Sequence, residues 1–194
     1  MASPRLVLAS RSETRLRVLR LAGFDPIVAP ADVDETLASP EIAVAVTDLA
    51  WRKAKAIAPA YPDDVVLGCD SLVVRDGDVM GKPEDAEEAA RWWRAMRGAT
   101  VTVWTGHALV RGERTVTGHR SADVHFEHVT DADIAAYIAS GEPFGAAGAF
   151  RLDGRAGLFV ESITGEPGTV HGVSLSFLQW ALGELDVEVP ALWA

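Results

Sequence analysis

The sequence holds one cysteine, no asparagine, one glutamine and only three lysines among its 194 residues. A single cysteine, Cys69, excludes a disulfide framework and a zinc site built from several thiolates. Apolar runs are also short, and none approaches the roughly 18 residues that a membrane-spanning helix needs. The first ten residues turn polar too soon for a signal peptide, so the sequence predicts a cytoplasmic protein without a membrane partner.

Basic residues are outnumbered, since 18 Lys and Arg stand against 28 Asp and Glu for a net charge of −10. This acidity argues against binding to nucleic acid polymers, although a small anionic substrate could still occupy a local basic pocket. The hydrophobic fraction of 48% fits a single globular domain over residues 1–194. Because 15 of the 18 cations are arginine, a retained lysine is a better candidate for a chemical role.

Helix and strand patterns alternate in the first half of the chain, and strand patterns cluster in the middle. This order predicts an α/β fold, with a mixed central sheet flanked by helices and two lobes around an active-site cleft. The predicted helices span about 12–22, 39–58, 84–96, 130–139 and 173–185. The predicted strands span about 5–10, 24–29, 64–69, 72–74, 100–110, 115–129 and 158–163. Neither G-x-G-x-x-G nor a Walker A motif is present, so nucleotide binding would need another device.

The segment 10–15, Ser-Arg-Ser-Glu-Thr-Arg, follows the first predicted strand and opens a helix. Its hydroxyls, arginines and free backbone N–H groups are what a phosphate needs at the positive end of a helix dipole. A plain N-cap at Ser12 with surface arginines explains the same residues.

On a helical wheel, Lys53 lies within the apolar arc of the predicted second helix, whereas Lys55 points away from it. A lysine on a buried face either meets an anion or extends its ammonium group to solvent. Asp70 ends an apolar run and could bind a metal or accept a proton from water; it could also cap a turn. Glu35, in an acidic loop with Asp34, could add an oxygen ligand for Mg²⁺ or Mn²⁺, or simply be solvated.

Two further segments are candidates for a functional role. The turn Gly81-Lys82-Pro83 predicts that Lys82 projects from a helix start, as an active-site group or as a surface lysine. The glycine-rich stretch 141–157 is typical of a loop that closes over a ligand, or of irregular backbone.

These motifs together resemble the Maf-like nucleoside triphosphate pyrophosphatases, which are similar in fold to the inosine triphosphatase group. The resemblance runs nearly end to end, and its order and spacing make it specific. It rests on LVLASRSETR at 6–15, VDET at 33–36, LAWRKAKA at 49–56, VVLGCDS at 65–71, GKPEDAEEA at 81–89, AGAFRLDGRAGLFVESITG at 147–165 and VHGVSL at 170–175.

The resemblance implies hydrolysis of a nucleoside triphosphate to a monophosphate and pyrophosphate, with a divalent metal cation, Mg²⁺ or Mn²⁺. It implies that Asp70 is the proton acceptor and that Lys53, Lys82 and Glu35 are catalytic. It also implies that Ser10, Ser12 and Arg15 bind phosphate. The mechanistic hypothesis that follows is that Asp70, with Glu35 nearby as a second metal ligand, holds the metal or activates water.

Base choice in the family is linked to the positions of Thr14, Ser71 and Asp153. The branch that prefers dTTP and UTP has Arg, Thr and Gln there, and the branch that prefers 7-methyl-GTP has Trp, Gln and Glu. This chain has neither set, so the expectation is a pyrophosphatase without a secure base preference.

Two other functions fit parts of the pattern. A nucleotide-binding regulator of cell division or septum formation would need no proton acceptor at Asp70, and a phosphatase would release orthophosphate. The family also suggests a homodimer, by analogy.

Overall fold

The structure, a computed structural model, describes residues 4–194. Helices and strands alternate through most of this range. In chain order they are β1 (Leu6–Leu8), α1 (Glu13–Leu21), β2 (Ile27–Val28), α2 (Ile42–Ile57), β3 (Val65–Arg75), β4 (Asp78–Met80), α3 (Ala86–Met96), β5 (Thr100–Arg111), β6 (Arg114–Phe126), α4 (Asp131–Ala139), β7 (Val160–Thr164), α5 (Pro167–Val170) and α6 (Leu175–Glu184). Short 3₁₀ turns cover Ala58–Ala60, Glu142–Gly145, Ala147–Ala149, Arg155–Phe159 and Val189–Leu192.

The seven strands belong to one mixed sheet, in the order β2-β1-β3-β5-β6-β7, with β4 paired to β3. Strand β1 runs parallel to both β2 and β3, whereas the β3–β4 and β6–β7 pairs are antiparallel. The predicted α/β fold with a mixed, helix-flanked sheet is therefore confirmed.

The chain separates into two compact units. Within the described range, the first comprises 4–70, 105–120 and 172–194, and the second comprises 71–104 and 121–171. Strands β3, β5 and β6 contribute residues to both units. The description of residues 1–194 as one domain stays a prediction.

Each unit has its own hydrophobic core. In the first unit, α1 and α6 cover one set of buried strand residues that includes Leu8, Leu67 and Leu109. Helix α2 covers a second set, in which Val7, Val66 and Ala108 are buried. In the second unit, the indole of Trp93 on α3 is fully buried and makes edge contacts with Phe126 and Tyr137.

Two glycines determine how closely α2 approaches the sheet. A Cβ at Gly68 on β3 would lie 2.1 Å from the Ala50 carbonyl oxygen, and one at Gly106 on β5 would lie 2.1 Å from the Val46 oxygen. Both separations are far below van der Waals contact, so only glycine allows the helix backbone to lie this close to the two strands.

Several predicted boundaries are wrong near the candidate site. The helix predicted from residue 39 begins instead at Ile42, with Glu41 as its N-cap, and the Ser39 hydroxyl accepts a hydrogen bond from the Glu41 amide at 3.1 Å in the turn before it. Helix α3 begins at Ala86 with Asp85 as its cap, so Lys82 precedes the helix rather than projecting from its start.

Asp70 also occupies a different place than predicted. The two predicted strands at 64–69 and 72–74 form the single strand β3, and Asp70 lies in its interior. That strand lies between β1 and β5, so Asp70 is neither at a strand end nor at the sheet edge.

The glycine-rich segment has more local structure than an open loop. It contains three 3₁₀ turns, and the Glu142 carboxylate accepts hydrogen bonds from the Arg155 amide at 3.1 Å and the Ala156 amide at 3.4 Å. Among residues 4–194, no helix is long and apolar enough to cross a membrane.

Candidate active site

Three segments that carry predicted site residues lie near the carboxyl ends of the parallel strands. Two of them follow β1 and β2, and the third is the part of β3 that continues beyond its pairing with β1. Leu8 of β1 pairs with Leu67 of β3, and the Ala9 amide donates to the Leu67 carbonyl at 2.8 Å. Ser10 comes next after β1, and Asp70 lies three residues beyond Leu67. The acidic loop with Glu35 follows β2, on the other side of β1. Ligands of open α/β sheets commonly bind at such carboxyl ends.

A buried lysine joins two of these segments. The Lys53 ammonium nitrogen lies 2.6 Å from Asp70 Oδ1 and 2.7 Å from Glu35 Oε1. The Lys53 and Asp70 side chains are 10% and 13% exposed, whereas that of Glu35 is 67% exposed. The wheel-based prediction that Lys53 faces inward and Lys55 outward is confirmed, because Lys53 is buried and Lys55 is exposed. A buried ammonium is stable here because it has two carboxylate partners.

The close helix–strand approach makes this ion pair possible. Lys53 lies one turn beyond Ala50, whose carbonyl oxygen faces Gly68 on β3. Asp70 is two residues after Gly68 on the same strand, and alternate residues of a strand point to the same face. The glycine therefore brings α2 down onto the face from which the Asp70 carboxylate projects.

The segment after β1 forms a compact hydroxyl–arginine loop. Ser10 Oγ accepts hydrogen bonds from the Ser12 amide at 3.2 Å and from Arg15 Nη1 at 3.0 Å. Ser12 is the N-cap of α1, and its hydroxyl accepts from the Arg15 amide at 3.3 Å. The predicted cap and the predicted phosphate loop are thus the same residues. A helix N-terminus with an adjacent guanidinium is well suited to bind an anion.

Arg15 is held by a residue that the sequence did not single out. Its Nε donates to the Gly172 carbonyl at 2.9 Å. Gly172 has φ +87°, a left-handed conformation that favours glycine. Two residues later, the Ser174 amide donates to Nε2 of the buried His107 at 2.9 Å. The sequence signals for this support are the VHGVSL motif at 170–175 and the segment TGHALV at 105–110, which carries His107 and also matches the family.

Cys69 neighbours Asp70 on β3 but is not a nucleophile. Its thiol is fully buried, and burial raises the pKa of Cys69 to about 11, with the nearby Arg15 and Lys53 charges opposing the shift. The thiol therefore stays protonated and unreactive at neutral pH. Cys69 is therefore a small apolar side chain of the core.

In the acidic loop, Asp34 Oδ1 accepts hydrogen bonds from the Thr36 amide at 2.9 Å and the Thr36 hydroxyl at 2.7 Å. These bonds from Thr36 hold the pKa of the Asp34 carboxyl below its ordinary value of 3.8. Asp34 thus stays ionised and shapes the backbone on both sides of Glu35.

The second unit carries three of the predicted residues. Lys82 is exposed, and the preceding Gly81 carbonyl accepts from the Gly148 amide at 2.8 Å. The side chain of Asp153 is only 5% exposed, and Arg151 Nε lies 3.3 Å from its Oδ1. Ser71 is partly buried, next to Asp70 on β3. Thr14, the remaining specificity position, is partly buried in the first turn of α1 in the first unit.

The carboxylates of the candidate site are the side chains that could hold a metal ion. In the described part of the chain, no group of three or more His, Cys, Asp or Glu side chains is arranged to hold a metal ion. Asp70 and Glu35, however, converge on one ammonium nitrogen. Mg²⁺ in nucleotide enzymes is commonly held by one or two carboxylates plus substrate phosphates, so this pair fits such an ion.

A cavity of about 560 Å³ lies elsewhere on the first unit. It is lined by residues of α2 and β6, including Val44, Trp51 and Thr117, and by none of the predicted site residues.

The fold and the clustered charges together define an α/β protein with a buried lysine between two carboxylates and an arginine beside a helix N-terminus. A sequence model of the family described as Maf-like protein matches residues 5–185. The chain therefore belongs to the Maf-like protein family, and the predicted family is confirmed.

Full-length relatives carry one name. The chain is similar to the "Nucleoside triphosphate pyrophosphatase" of Corynebacterium aurimucosum, with 45% identity over 195 residues, 98% of each chain. The protein of that name from Streptomyces avermitilis is 46% identical over 194 residues, 97% of this chain and 94% of the relative. The Trichormus variabilis protein of the same name is 41% identical over 196 residues, with both chains fully covered.

Proposed function

We propose that this protein hydrolyses nucleoside triphosphates to nucleoside monophosphates and pyrophosphate. It is thus a hydrolase acting on acid anhydrides. The reaction class predicted from the motifs agrees with the name of its full-length relatives. The observation that carries the proposal at the level of the site is the buried Lys53, placed between the carboxylates of Asp70 and Glu35.

In this mechanism, Asp70 accepts a proton from a water molecule whose oxygen attacks the α-phosphorus. The new bond joins the water oxygen to the α-phosphorus, and the bond to the α,β-bridging oxygen breaks. Pyrophosphate leaves with the electron pair of that bond. A positioned carboxylate acting as general base contributes about 10²–10⁴-fold to such a step.

Positive charge stabilises the phosphates as negative charge shifts towards the leaving group. Lys53 supplies an ammonium beside Asp70, and Arg15 supplies a guanidinium at the α1 N-terminus. Ser10 and Ser12 shape the loop that would receive a phosphate oxygen. The catalytic role of Lys82 stays a prediction of the family resemblance.

A divalent cation, Mg²⁺ or Mn²⁺, would be held by Asp70 and Glu35. When bound, such a cation neutralises phosphate charge and orients the triphosphate chain. In its absence, Lys53 neutralises the same two carboxylates.

Base selectivity is proposed to be broad. Thr14 offers no aromatic surface for stacking on a base, and the nearly buried Asp153 is already paired with Arg151. Thr14 thus matches neither the arginine of the pyrimidine branch nor the tryptophan of the methylated-purine branch, and Asp153 keeps only the acidic character of the latter. Narrow turnover of one canonical pyrimidine triphosphate would contradict this proposal.

The deciding experiment is a product assay on a panel of canonical and modified nucleoside triphosphates with Mg²⁺ or Mn²⁺. Metal-dependent release of pyrophosphate is the expected result. Release of orthophosphate would indicate a phosphatase instead. Nucleotide binding without turnover would favour the division-regulator function.

The protein is proposed to form a homodimer in the cytoplasm. The Trp51, Trp180 and Trp193 side chains are exposed, which supports a homodimer because exposed tryptophans are enriched at interfaces. Sedimentation at several protein concentrations tests the homodimer. The proposed location is the cytoplasm, where nucleoside triphosphate substrates are present.

A further inference from the structure

Arg52, the neighbour of Lys53 on α2, donates hydrogen bonds to the backbone of the acidic loop. Its Nη2 donates to the Thr36 carbonyl at 2.8 Å, and its Nη1 donates to the Asp34 carbonyl. These two carbonyls belong to the residues on either side of Glu35. Arg52 therefore fixes the backbone from which the Glu35 side chain projects.

The same guanidinium is anchored to its own helix. Arg52 Nε donates to Asp48 Oδ2 at 2.8 Å, one helical turn earlier. The Arg52 and Asp48 side chains are 23% and 30% exposed, so this ion pair is partly shielded from water. The ion pair with Asp48 fixes the orientation of the guanidinium, so that Nη1 and Nη2 point towards the loop carbonyls.

Only arginine can make this set of contacts. Its planar fork presents N–H groups in fixed directions, here used for one carboxylate and two carbonyls. Lysine has a single nitrogen on a flexible chain, and it cannot hold three acceptors that lie around a plane.

Arg52 and Lys53 act on the loop at different points. Successive side chains on a helix project about 100° apart. Arg52 holds the loop backbone, whereas Lys53 contacts the end of the Glu35 side chain at 2.7 Å. Because Glu35 is itself mostly exposed, the backbone contact limits where its carboxylate can lie.

We propose that Arg52 is a positioning residue for Glu35, holding its carboxylate beside Lys53 and Asp70 before substrate arrives. The inference rests on the proposed function, in which Glu35 contributes to the phosphate-binding and metal-binding site. A charged group placed in advance needs no reorganisation during the reaction.

The test compares Arg52→Met and Arg52→Lys with Lys55→Met, which removes an exposed cation from the same helix. Pyrophosphate release gives kcat and KM, and hydrogen exchange reports the protection of the Thr36 amide, which donates to Asp34 Oδ1 at 2.9 Å. Arg52→Met is expected to lower kcat about 10–100-fold, as outer contacts of metal sites do. It is also expected to speed exchange at the Thr36 amide. Arg52→Lys recovers little, and Lys55→Met matches the wild type.

A double-mutant cycle with Glu35→Gln separates positioning from a general structural effect. If Arg52 acts through Glu35, Arg52→Met causes almost no further loss of kcat in the Glu35→Gln background. An equal loss in both backgrounds overturns the inference. If Arg52→Met folds poorly, Asp48→Asn replaces it, because this variant removes the carboxylate that anchors the guanidinium. Asp48→Asn is expected to lower kcat less than Arg52→Met does, and again to cause almost no further loss in the Glu35→Gln background.

The outcomes also separate this inference from the function on which it rests. If Glu35→Gln keeps wild-type turnover, the role proposed for Glu35 fails, and so does the purpose assigned to Arg52. If Glu35→Gln loses turnover while Arg52→Met retains both turnover and slow exchange, only the inference about Arg52 fails.

Discussion

The Lys53 ammonium nitrogen lies 2.6 Å from Asp70 Oδ1, in a buried contact between α2 and β3. Neither charge could remain there alone, because an isolated buried ion loses its hydration without compensation. The contact therefore allows both charges to stay buried, beyond the carboxyl ends of the paired parallel strands.

Replacing Asp70 by Asn should lower turnover sharply while the fold is retained, because the Lys53 ammonium keeps the Glu35 carboxylate as its partner at 2.7 Å. The amide has nearly the same shape as the carboxylate, but it cannot accept a proton from water at neutral pH. The expected loss of kcat is about 10²–10⁴-fold. Pyrophosphate release measures it, and thermal unfolding reports the fold. Near-normal turnover in Asp70→Asn would remove Asp70 from the mechanism.

Lys53→Met should differ sharply from Lys55→Met. Removing the Lys53 charge leaves the buried Asp70 carboxylate without its ammonium partner, and breaking a buried pair costs about 3–5 kcal/mol. Lys55 is exposed on the same helix, so its replacement should change stability and turnover little. Urea unfolding and kcat compare the two variants. Equal effects would show that the Lys53–Asp70 contact contributes nothing specific.

Gly106→Ala should displace α2. The added Cβ would lie 2.1 Å from the Val46 carbonyl oxygen, so the helix must move or the strand must bend. Overpacking of this kind costs about 1–3 kcal/mol. Because α2 also carries Lys53, turnover should fall as well as the midpoint of thermal unfolding.

Gly183→Ala is the matched control for this glycine substitution. A Cβ at Gly183 on α6 would meet nothing within 4 Å. Alanine is favoured over glycine in a helix by about 0.5–1 kcal/mol, so this variant should be slightly more stable than the wild type. A loss of stability comparable to that of Gly106→Ala would contradict the steric explanation.

Acid should lower the stability of the folded protein, partly because Asp64 becomes protonated. The Arg5 side chain and amide donate to this buried carboxylate at 2.7–3.2 Å, and the Arg5 hydrogen bond lowers the pKa of Asp64 below its ordinary value of 3.8. A depressed folded-state pKa means that the stabilisation is present above about pH 4 and is lost as pH falls through the folded-state value.

Thermal unfolding of Asp64→Asn across this pH range tests the assignment. At neutral pH the variant should unfold at a lower temperature than the wild type, and its midpoint should fall less steeply below pH 4. Asp63→Asn, an exposed neighbour, should follow the wild-type curve. Parallel curves for the wild type and Asp64→Asn would show that Asp64 does not contribute to acid sensitivity.

His107→Phe should weaken the support of Arg15. Phenylalanine can still stack on Phe177, whose ring centroid lies 4.8 Å from that of His107. It cannot accept the hydrogen bond from the Ser174 amide, and a buried amide without an acceptor costs about 1–3 kcal/mol. Because Gly172 holds Arg15 two residues earlier, KM for the triphosphate should rise.

His107→Gln is the conservative counterpart, since its amide oxygen can accept from the Ser174 amide. It should recover more of the stability and of the KM than His107→Phe does. Identical KM values for the wild type and His107→Phe would show that His107 does not support Arg15.

The sequence determined the fold class because hydrophobic periodicity is local and strong along this chain. The alternation of helices and strands, the cap at Ser12 and the inward face of Lys53 all follow from spacing within one element. The family followed from the order of its motifs, and both the fold class and the family are confirmed.

Boundaries and contacts between distant segments depended on the tertiary structure. The charge of Asp70 was expected to end a strand, but β3 continues through it to Arg75, and Lys53 from α2 neutralises the carboxylate there. Likewise, α2 begins at Ile42 rather than at residue 39, and the Ser39 hydroxyl bonds to the Glu41 amide in the preceding turn. Only folding brings Arg52 to the carbonyls flanking Glu35, because those residues are 16–18 positions apart in the chain. Local pattern thus decided which residues are helical, extended or buried, and the close approach of α2 at Gly68 and Gly106 decided which charges meet.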